Sequence, residues 1–199
     1  MSAVRDEVRA ANLRTVSALA LLFLLPLIGA FWLYYGAGWR PAGHINHGEL
    51  IEPVIQLPDV SLPQAMAGAP IANVFMHHWT IVYVGDGRCA DSCRRALFVM
   101  RQARFALNND MTRVQRVFLV TGECCDRAFL TREHPGLTVL DASTAKGSKL
   151  LAKFPPSDLP DSLFVVDPLG NLMMRYDSRR DLRGLLEDLK RLLQLSHIG

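Results

Sequence analysis

The chain has 199 residues, of which 50% are hydrophobic, enough for one ordinary domain of about 100–150 residues with several dozen residues to spare. Its formal net charge is only +3, and its basic residues alternate with acidic ones, as in the group Arg175, Asp177, Arg179, Arg180 and Asp181. This distribution excludes a continuous basic stripe that could follow a phosphate backbone, so we expect no nucleic-acid partner.

Residues 15–39 form an uncharged, apolar segment near the N-terminus. The segment exceeds the ~20 residues that a helix needs to cross a bilayer, and aromatic residues gather at its far end: Trp32, Tyr34, Tyr35 and Trp39. The alternative is a cleaved secretory signal, but such signals have a shorter apolar core and end at small residues, where this segment has bulky aromatics. We therefore predict an uncleaved transmembrane helix, in which Pro26 permits a bend.

The charges on either side of this segment predict its orientation. Arg5, Arg9 and Arg14 precede it, whereas only Arg40 follows closely. By the positive-inside rule, residues 1–14 are a cytoplasmic tail of an inner (cytoplasmic) membrane protein, and the rest of the chain lies in the periplasm or an equivalent outer compartment. Disulfides can form and persist in such a compartment, which holds all four cysteines: Cys89, Cys93, Cys124 and Cys125.

Residues 40–70 are predicted to be a tether in front of a folded domain of residues 71–199. The segment is rich in residues that interrupt helices, namely Pro41, Gly43, Gly48, Pro53, Pro58, Pro63, Gly68 and Pro70. Such a density favours extended, turn-rich backbone, with room for a short hairpin that packs on the domain.

From residue 79 onward, β-prone and helical patterns alternate. Short β-prone runs predict strands over 79–84, 114–120 and 137–140. The spacing of apolar residues between the first two runs predicts a helix over 89–107, and a short helix is expected before the third.

The remaining residues predict a β-hairpin and a final helix. Strands over 163–166 and 172–176 flank a turn that contains Pro168 and Gly170, and leucines at helical spacing mark a helix over 178–195. We expect this leucine stripe to pack in the core of the domain. The alternative is that it binds a partner. The order of elements is typical of an α/β, three-layer α/β/α thioredoxin-like domain with its first strands parallel at the sheet centre.

Cys89 and Cys93 are the candidate working thiols. Cys89 is predicted at the start of the helix, where backbone N–H groups, the helix dipole and nearby arginines (Arg88, Arg94, Arg95) lower the pKa of a thiol. On a regular helix the two Cβ atoms are about 5–6 Å apart, long for a disulfide but suited to two soft ligands of one metal. The alternative is that both are buried apolar residues, but the corner is polar and is expected to be exposed.

Other residues are candidates for supporting roles. Cys124 and Cys125 follow the second strand, and because neighbouring cysteines bond to each other only with strain, each is a resolving thiol, an extra metal ligand or without function. Pro160 precedes the hairpin; a proline there in this fold is commonly cis and faces the redox cysteine, against the alternative of a plain loop proline. Each histidine is expected to be a solvated surface residue rather than a metal ligand, and His47 and His134 come nearest to being exceptions; the others are His44, His77, His78 and His197.

The segment W-T-I-V-Y-V-G-D-G-R-C-A-D-S-C, residues 79–93, resembles the Sco family of copper chaperones, in which a first strand leads into Cys-x-x-x-Cys. V-F-L-V-T at 117–121, E-H-P-G-L-T at 133–138 and F-V-V-D-P-L-G at 164–170 resemble further family segments, as does the single anchor. The resemblance implies that Cys89 and Cys93 are thiolate ligands of Cu(I).

This sequence departs from the Sco pattern at two places. The family histidine that completes the copper site is missing, since residues 157–164 offer Asp158, Leu159, Pro160, Asp161 and Ser162 instead, and Ala90 and Arg94 replace the prolines after the cysteines. Cu(I) would then be held by two thiolates alone or with Cys124 or Cys125. The same region also resembles membrane-tethered thioredoxin-type reductases, in which Pro160 would be the substrate-side proline.

Three functional hypotheses follow. The first, implied by the resemblance, is a Sco-like assembly factor for cytochrome c oxidase that acts as a thiol-disulfide reductant, a Cu(I) carrier, or both, with an oxidase subunit or another assembly factor as partner. The second is a generic membrane-tethered thiol-disulfide oxidoreductase, and the third is a non-catalytic assembly scaffold. Enzymatic and metallochaperone roles both stay open at this point.

Overall fold

The structure is a computed structural model that describes residues 2–37, 46–66, 68–156, 159–180, 182–196 and 198. It divides into two compact units, Met1–His44 and Ile45–Gly199. Several residues singled out in the sequence lie outside the described residues, namely Trp39, Arg40, Pro41, Gly43, His44, Asp158, Asp181 and His197.

The first unit is a long apolar helix. Helix α1 runs over Ser2–Phe31, includes Pro26, and continues directly into a π-helical turn, Trp32–Gly36. Its run of leucines and alanines favours helix, and the window Asn12–Gly36, with a mean hydropathy of 2.4, is long and apolar enough to cross a membrane. The predicted candidate transmembrane span is therefore confirmed.

The second unit is built on one mixed sheet, to which the described residues contribute six strands: β1 (Glu49–Gln56), β2 (Trp79–Gly85), β3 (Val114–Val120), β4 (Thr138–Asp141), β5 (Ser162–Val166) and β6 (Asn171–Asp177). Their order across the sheet is β1-β6-β5-β2-β3-β4. The pairs β2–β3 and β3–β4 are parallel, and the pairs β2–β5, β5–β6 and β1–β6 are antiparallel. The predicted parallel pair at the centre of the sheet is present.

Helices cover both faces of this sheet: α2 (Asp91–Phe105), α3 (Arg127–Glu133), α4 (Ala145–Leu151) and α5 (Leu182–Leu195). One apolar core joins α2, α3 and α5 to alternate strand residues such as Ile81 and Tyr83. The other core joins α4 and apolar residues between 57 and 75 to the intervening residues, Val82 and Val84. Because both faces are covered, β2 is buried from Trp79 to Val84, and the predicted three-layer α/β fold is confirmed.

The final helix differs from its predicted position, and one further helix was not predicted. The final helix starts at Leu182 rather than at 178, and its leucines at 185, 189 and 193 are buried against the sheet, in the core role that the spacing favoured. Helix α4 was not predicted. It begins after Thr144, whose side chain accepts a hydrogen bond from the N–H of Gly147 at 3.1 Å, and it ends after only seven residues.

The segment predicted to be a tether contains part of the folded unit, which starts at Ile45 rather than at residue 71. Strand β1 pairs antiparallel with β6, with its register interrupted between Leu50 and Ile55. Pro53 is tolerated there because an edge strand has N–H positions that need no partner strand. Further on, the N–H of Ala65 donates to the carbonyl of Val139 at 2.9 Å, along the outer side of β4.

A buried carboxylate on α5 anchors the residues that lie just before β1. Asp188, whose side chain is 3% exposed, accepts hydrogen bonds from the backbone N–H groups of His47 (2.8 Å) and Gly48 (2.9 Å) and from the hydroxyl of Tyr176 (2.9 Å). Burial by itself raises the pKa of Asp188, but these hydrogen bonds outweigh it and hold the pKa below its ordinary value. Residues 47 and 48 are therefore anchored by an ionised group.

Candidate functional site

The loop between β2 and α2 places Cys89 before the helix. The carboxylate of Asp86 accepts a hydrogen bond from the N–H of Arg88 at 2.8 Å, and the N–H of Cys89 donates to the carbonyl of Asp86 at 3.2 Å. Cys89 has a left-handed backbone with φ of 52°, and α2 begins at Asp91. The prediction that Cys89 starts the helix is therefore wrong, because this turn uses up residues 86–89. Cys93, in the first turn of α2, has the helix-start position instead.

Cys89 and Cys93 are joined by a disulfide, with their Cα atoms 4.9 Å apart. The predicted Cβ separation, at the long edge for a disulfide, assumed that both residues lie on one helix, and this assumption fails because Cys89 lies outside α2. The predicted exposure is also wrong: Cys89 is 1% exposed and Cys93 3%, within the core that α2 forms on the sheet. The polar residues of the corner are outside this core, and Arg88 is exposed.

The arginines near the disulfide are paired with carboxylates. Arg88 lies 3.1 Å from Asp86, Arg94 lies 3.0 Å from Asp126, and Arg95 lies 4.0 Å from Asp161. The sequence suggested three guanidinium groups that would together favour a thiolate, and the carboxylates offset much of that charge. The backbone N–H groups in the first turn of α2 remain as a thiolate-stabilising feature beside Cys93.

The loop that holds Cys124 and Cys125 lies against the loop that leads to Cys89. The N–H of Asp126 donates to the carbonyl of Gly87 at 3.2 Å, and the N–H of Thr121 donates to that of Gly85 at 3.0 Å. A side chain at position 87 would collide with backbone atoms of Glu123 and Cys124, so the close approach requires glycine. The carboxyl ends of the neighbouring strands β2 and β3 thus bring the two cysteine loops together.

Cys124 and Cys125 nevertheless form a disulfide with each other and not with Cys89 or Cys93. The peptide bond between them is cis, and their Cα atoms are 3.2 Å apart. The roles predicted for Cys124 and Cys125, a resolving thiol, an extra metal ligand or no function, stay predictions. The sulfur of Cys124 lies 3.6 Å from the carbonyl oxygen of Ala65.

Pro160 lies in a 3₁₀ turn, Leu159–Asp161, directly before β5. The cis peptide bonds among the described residues are Glu52–Pro53 and Cys124–Cys125, so the bond before Pro160 is trans, unlike the proline common at this place in the fold. Its carbonyl accepts a hydrogen bond from the Tyr83 hydroxyl at 3.1 Å. The next residue, Asp161, approaches Arg95 of α2, so the turn lies beside the helix that carries Cys93.

Tyr83 is a site residue that the sequence reasoning missed. Its hydroxyl connects strand β2 with the Pro160 turn, which lies beside α2. Burial raises the pKa of Tyr83 to about 12, so the hydroxyl stays neutral and keeps its proton to donate. A tyrosine inside a strongly β-prone, largely apolar run was the available signal, since a buried phenol normally requires a hydrogen-bond partner.

His47 and His134, the two histidines nearest to being ligand candidates, contact residues other than the four cysteines. His47 contacts Glu187 at 3.3 Å and Asp188 at 3.2 Å. His134 is buried against the ring of Phe129, and burial, together with the positive charges of Arg101 and Arg116, lowers the pKa of His134 to about 4. Within the described ranges, no group of three or more His, Cys, Asp or Glu side chains is placed to hold a metal ion.

Comparison with known families identifies the domain that carries the disulfide. Residues 79–196 match the family described as the transmembrane-like, thioredoxin-like, C-terminal domain, and this match covers more than half of the chain. The chain belongs to this family. Among curated protein sequences, none matches it significantly. The thioredoxin-like domain therefore contains both cysteine pairs, the Pro160 turn and Tyr83.

Solved structures share the fold of this thioredoxin-like domain. Apo Sco1 from Thermus thermophilus is 17% identical, with a TM-score of 0.58 over 76% of this chain and 99% of that one. Yeast Sco1 with copper bound is 15% identical, with a TM-score of 0.61 over 71% of this chain and 94% of that one. A yeast mitochondrial 1-Cys peroxiredoxin is 14% identical, with a TM-score of 0.51 over 71% and 75%. The predicted likeness to Sco proteins is thus confirmed at the level of the fold.

Proposed function

We propose that the thioredoxin-like domain is a Sco-like thiol-disulfide exchange protein and that Cys89 and Cys93 are its working pair. The observation that supports this proposal is the Cys89–Cys93 disulfide at the carboxyl end of β2, with Cys93 in the first turn of α2. This is a position at which a helix start stabilises the thiolate that exchange requires. The Tyr83 hydroxyl holds the Pro160 turn, which lies beside the helix that carries Cys93.

The exchange proceeds through a mixed disulfide. One thiolate of the reduced pair attacks a disulfide sulfur of the partner, forming a bond to that sulfur and releasing the other partner sulfur as a thiolate. The second cysteine of the pair then attacks the mixed disulfide, which closes Cys89–Cys93 and releases the second partner thiolate. Two electrons pass to the partner, its two thiolates take up two protons, and a dithiol protein reduces the pair again.

Cu(I) is the second proposed cargo of the same pair. Reduction of the disulfide yields two thiolates, the ligand type that selects Cu(I). The family histidine is absent from this chain, so Cys89 and Cys93 would hold the ion as two sulfur ligands, with Cys124 or Cys125 as additional ligands once their own disulfide is reduced. The partner in this proposal is a copper-site subunit of cytochrome c oxidase or another factor in its assembly.

The proposed exchange also requires the thioredoxin-like domain to lie in the same compartment as its partner. We propose that α1 anchors the chain in the inner membrane, with the cytoplasm on the side of Arg9 and Arg14 and the thioredoxin-like domain in the periplasm or an equivalent compartment. Pro160 serves as the substrate-side proline in this arrangement. The competing functions are a generic tethered oxidoreductase, which would serve several unrelated partners, and a scaffold without thiol chemistry.

The test compares two cysteine pairs in the full chain. Cells that carry Cys89→Ser with Cys93→Ser should make an oxidase with lower copper content, whereas Cys124→Ser with Cys125→Ser, the matched control, should have the smaller effect. An anaerobic Cu(I) titration of the full chain in nonionic detergent, with a count of free thiols, then distinguishes Cu(I) carriage from thiol-disulfide exchange. Unchanged oxidase copper in the first variant would sink the assembly proposal. If Cys89→Ala, which keeps the helix-start thiol Cys93, traps several unrelated proteins as mixed disulfides, the generic oxidoreductase is correct.

A further inference from the structure

A groove of about 240 Å³ lies between α2 and α3, on the side of the sheet that carries the disulfide. It is lined by three arginines, two aromatic rings and a histidine: Arg94, Arg101, Arg132, Phe98, Phe129 and His134. Glu133 completes the lining. We call this feature the arginine groove.

The arginine groove has more positive than negative charge. Glu133 is the single carboxylate of the lining and is shared by two guanidinium groups, that of Arg132 at 3.0 Å and that of Arg101 at 3.5 Å. Arg94 is paired at 3.0 Å with Asp126, outside the lining, so the excess is one positive charge. Hydrogen bonds from these arginines hold the pKa of Glu133 below its ordinary value, and His134 is neutral at pH 7 because its pKa is lowered. The lining therefore attracts anionic groups, and its guanidinium groups match the planar geometry of a carboxylate.

The groove also presents aromatic surface next to these charges. Phe98 is 47% exposed although it belongs to a helix packed on the core, and the Arg101 guanidinium lies 5.7 Å from its ring centroid. The Arg94 guanidinium lies 4.3 Å from the centroid of Phe129. Such layers of arginine and aromatic rings are typical of surfaces that bind side chains of another protein.

One buried polar atom in the groove has no partner. His134 is only 4% exposed, and its Nδ1 has no hydrogen-bond partner among the described residues. This nitrogen is inaccessible to solvent, so His134 contributes neutral ring surface to the groove and no hydrogen-bonding group at Nδ1.

Arg94 connects this groove to the disulfide. Its Nε donates to the carbonyl of Cys89 at 3.2 Å, while its guanidinium also lies over Phe129 within the groove. The groove therefore lies within one arginine side chain of the backbone of Cys89.

We propose that the arginine groove docks an acidic segment of a partner polypeptide, one that carries a large apolar side chain for the Phe98 and Phe129 surface and whose thiols react with Cys89 and Cys93. The proposal rests on the proposed function and adds the recognition that brings the partner's thiols to the pair. Anionic lipid headgroups share the charge of such a segment. The two rings and the contact with the Cys89 loop favour a polypeptide, and lipid binding is an outcome of the test.

The test measures binding without any thiol chemistry. The probe is a fluorescent, cysteine-free peptide that alternates Glu and Phe, compared with the same peptide in which Gln replaces Glu. The full chain in nonionic detergent should bind the Glu peptide about tenfold more tightly at low salt, and added salt should remove the difference.

Matched variants locate the binding. Arg101→Gln with Arg132→Gln should weaken binding of the Glu peptide by about tenfold, whereas Lys146→Gln with Lys149→Gln, an equal change of charge on α4 across the sheet, should change it less than about twofold. Arg101 also donates to the carbonyl of Glu133, so Arg132→Glu, at a side chain that is 76% exposed, provides a second variant that leaves that contact in place.

Three results would overturn the proposal: equal affinity for the two peptides, an equal loss in the lysine variant, or arginine-dependent binding of dispersed dihexanoyl phosphatidylglycerol without binding of the Glu peptide. Reduction of Cys89–Cys93 by dithiothreitol is measured in parallel and should be the same in all variants. A disulfide that resists dithiothreitol would count against the proposed function, while the peptide result would still decide whether the groove docks an acidic segment.

Discussion

His134 should make the folded domain sensitive to acid. Its neighbours include two cations, Arg101 and Arg116, and Glu133 is the one carboxylate among the charged groups that shift its pKa. Arg116 is itself buried, donates to the carbonyl of Pro135 at 2.7 Å, and has a pKa lowered to about 10 by burial. A proton on His134 would add a further positive charge to a region where water cannot solvate it, so the folded state favours the neutral ring.

The magnitude follows from the pKa difference between the two states. The pKa of His134 is about 4 in the folded chain and 6.5 as its ordinary value, so the unfolded chain binds this proton first as the pH falls. The contribution is complete above pH 6.5 and is lost progressively down to pH 4. Each pH unit in that window removes about 1.4 kcal/mol, so the free energy of unfolding should fall by about 2 kcal/mol between pH 6.5 and 5.

Urea unfolding of the full chain in nonionic detergent, followed by tryptophan fluorescence, measures this loss. With a slope of about 2 kcal/mol per molar urea, the midpoint should fall by about 1 M between pH 6.5 and 5. In His134→Phe, which keeps a ring of similar size, the midpoint should be nearly constant over the same range. His78→Phe, at an exposed histidine, is the control and should behave like the wild type. Parallel losses in the wild type and in His134→Phe would refute the reasoning.

Three further variants test contacts that shape the site and the sheet. Asp188→Asn replaces charge-assisted hydrogen bonds with neutral ones and should lower the free energy of unfolding at pH 7 by about 2–4 kcal/mol. The difference between the variant and the wild type should shrink as the pH falls through the lowered pKa of Asp188. Equal stability of the two proteins at pH 7 would contradict this prediction. Gly87→Ala forces the two cysteine loops apart and should cost about 1–3 kcal/mol in urea unfolding, and an unchanged midpoint would show that the loops yield freely. Tyr83→Phe removes the hydrogen bond to Pro160 and should lower the melting temperature by about 2–4 °C, whereas a higher melting temperature would mean that the hydroxyl is poorly satisfied.

The elements that sequence pattern predicts well are those whose signal is local and repeated. The β-prone run at 79–84 became β2, Trp79–Gly85, and the leucine spacing located α5 to within a few residues. Helix α4 escaped because A-K-G-S-K-L-L is short and contains Gly147, while its start depends on the Thr144 cap. Short helices have too few turns for a period to be visible.

The features that pattern could not predict depend on distant residues or on turn chemistry. Strand β1 pairs with β6, and its start is fixed by Asp188, which is 141 residues away from His47. At the site, the sequence identified the correct cysteines but placed Cys89 on the helix, because a turn held by Asp86 gives no periodic signal. The pairing of Arg94 and Arg95 with carboxylates from other elements was equally invisible in one dimension.

The segment between the apolar helix and β2 also protects the sheet from other chains. Without residues 46–66, strands β6 and β4 would each present an unpaired row of backbone N–H and C=O groups, which is a template for edge-to-edge aggregation. With the segment in place, the outermost strand on one side is β1, which carries Glu49, Glu52 and Pro53, residues that discourage a further strand from pairing. A fragment that starts at residue 71 would thus keep both cysteine pairs and lose this protection, so any recombinant form of the domain should begin before β1.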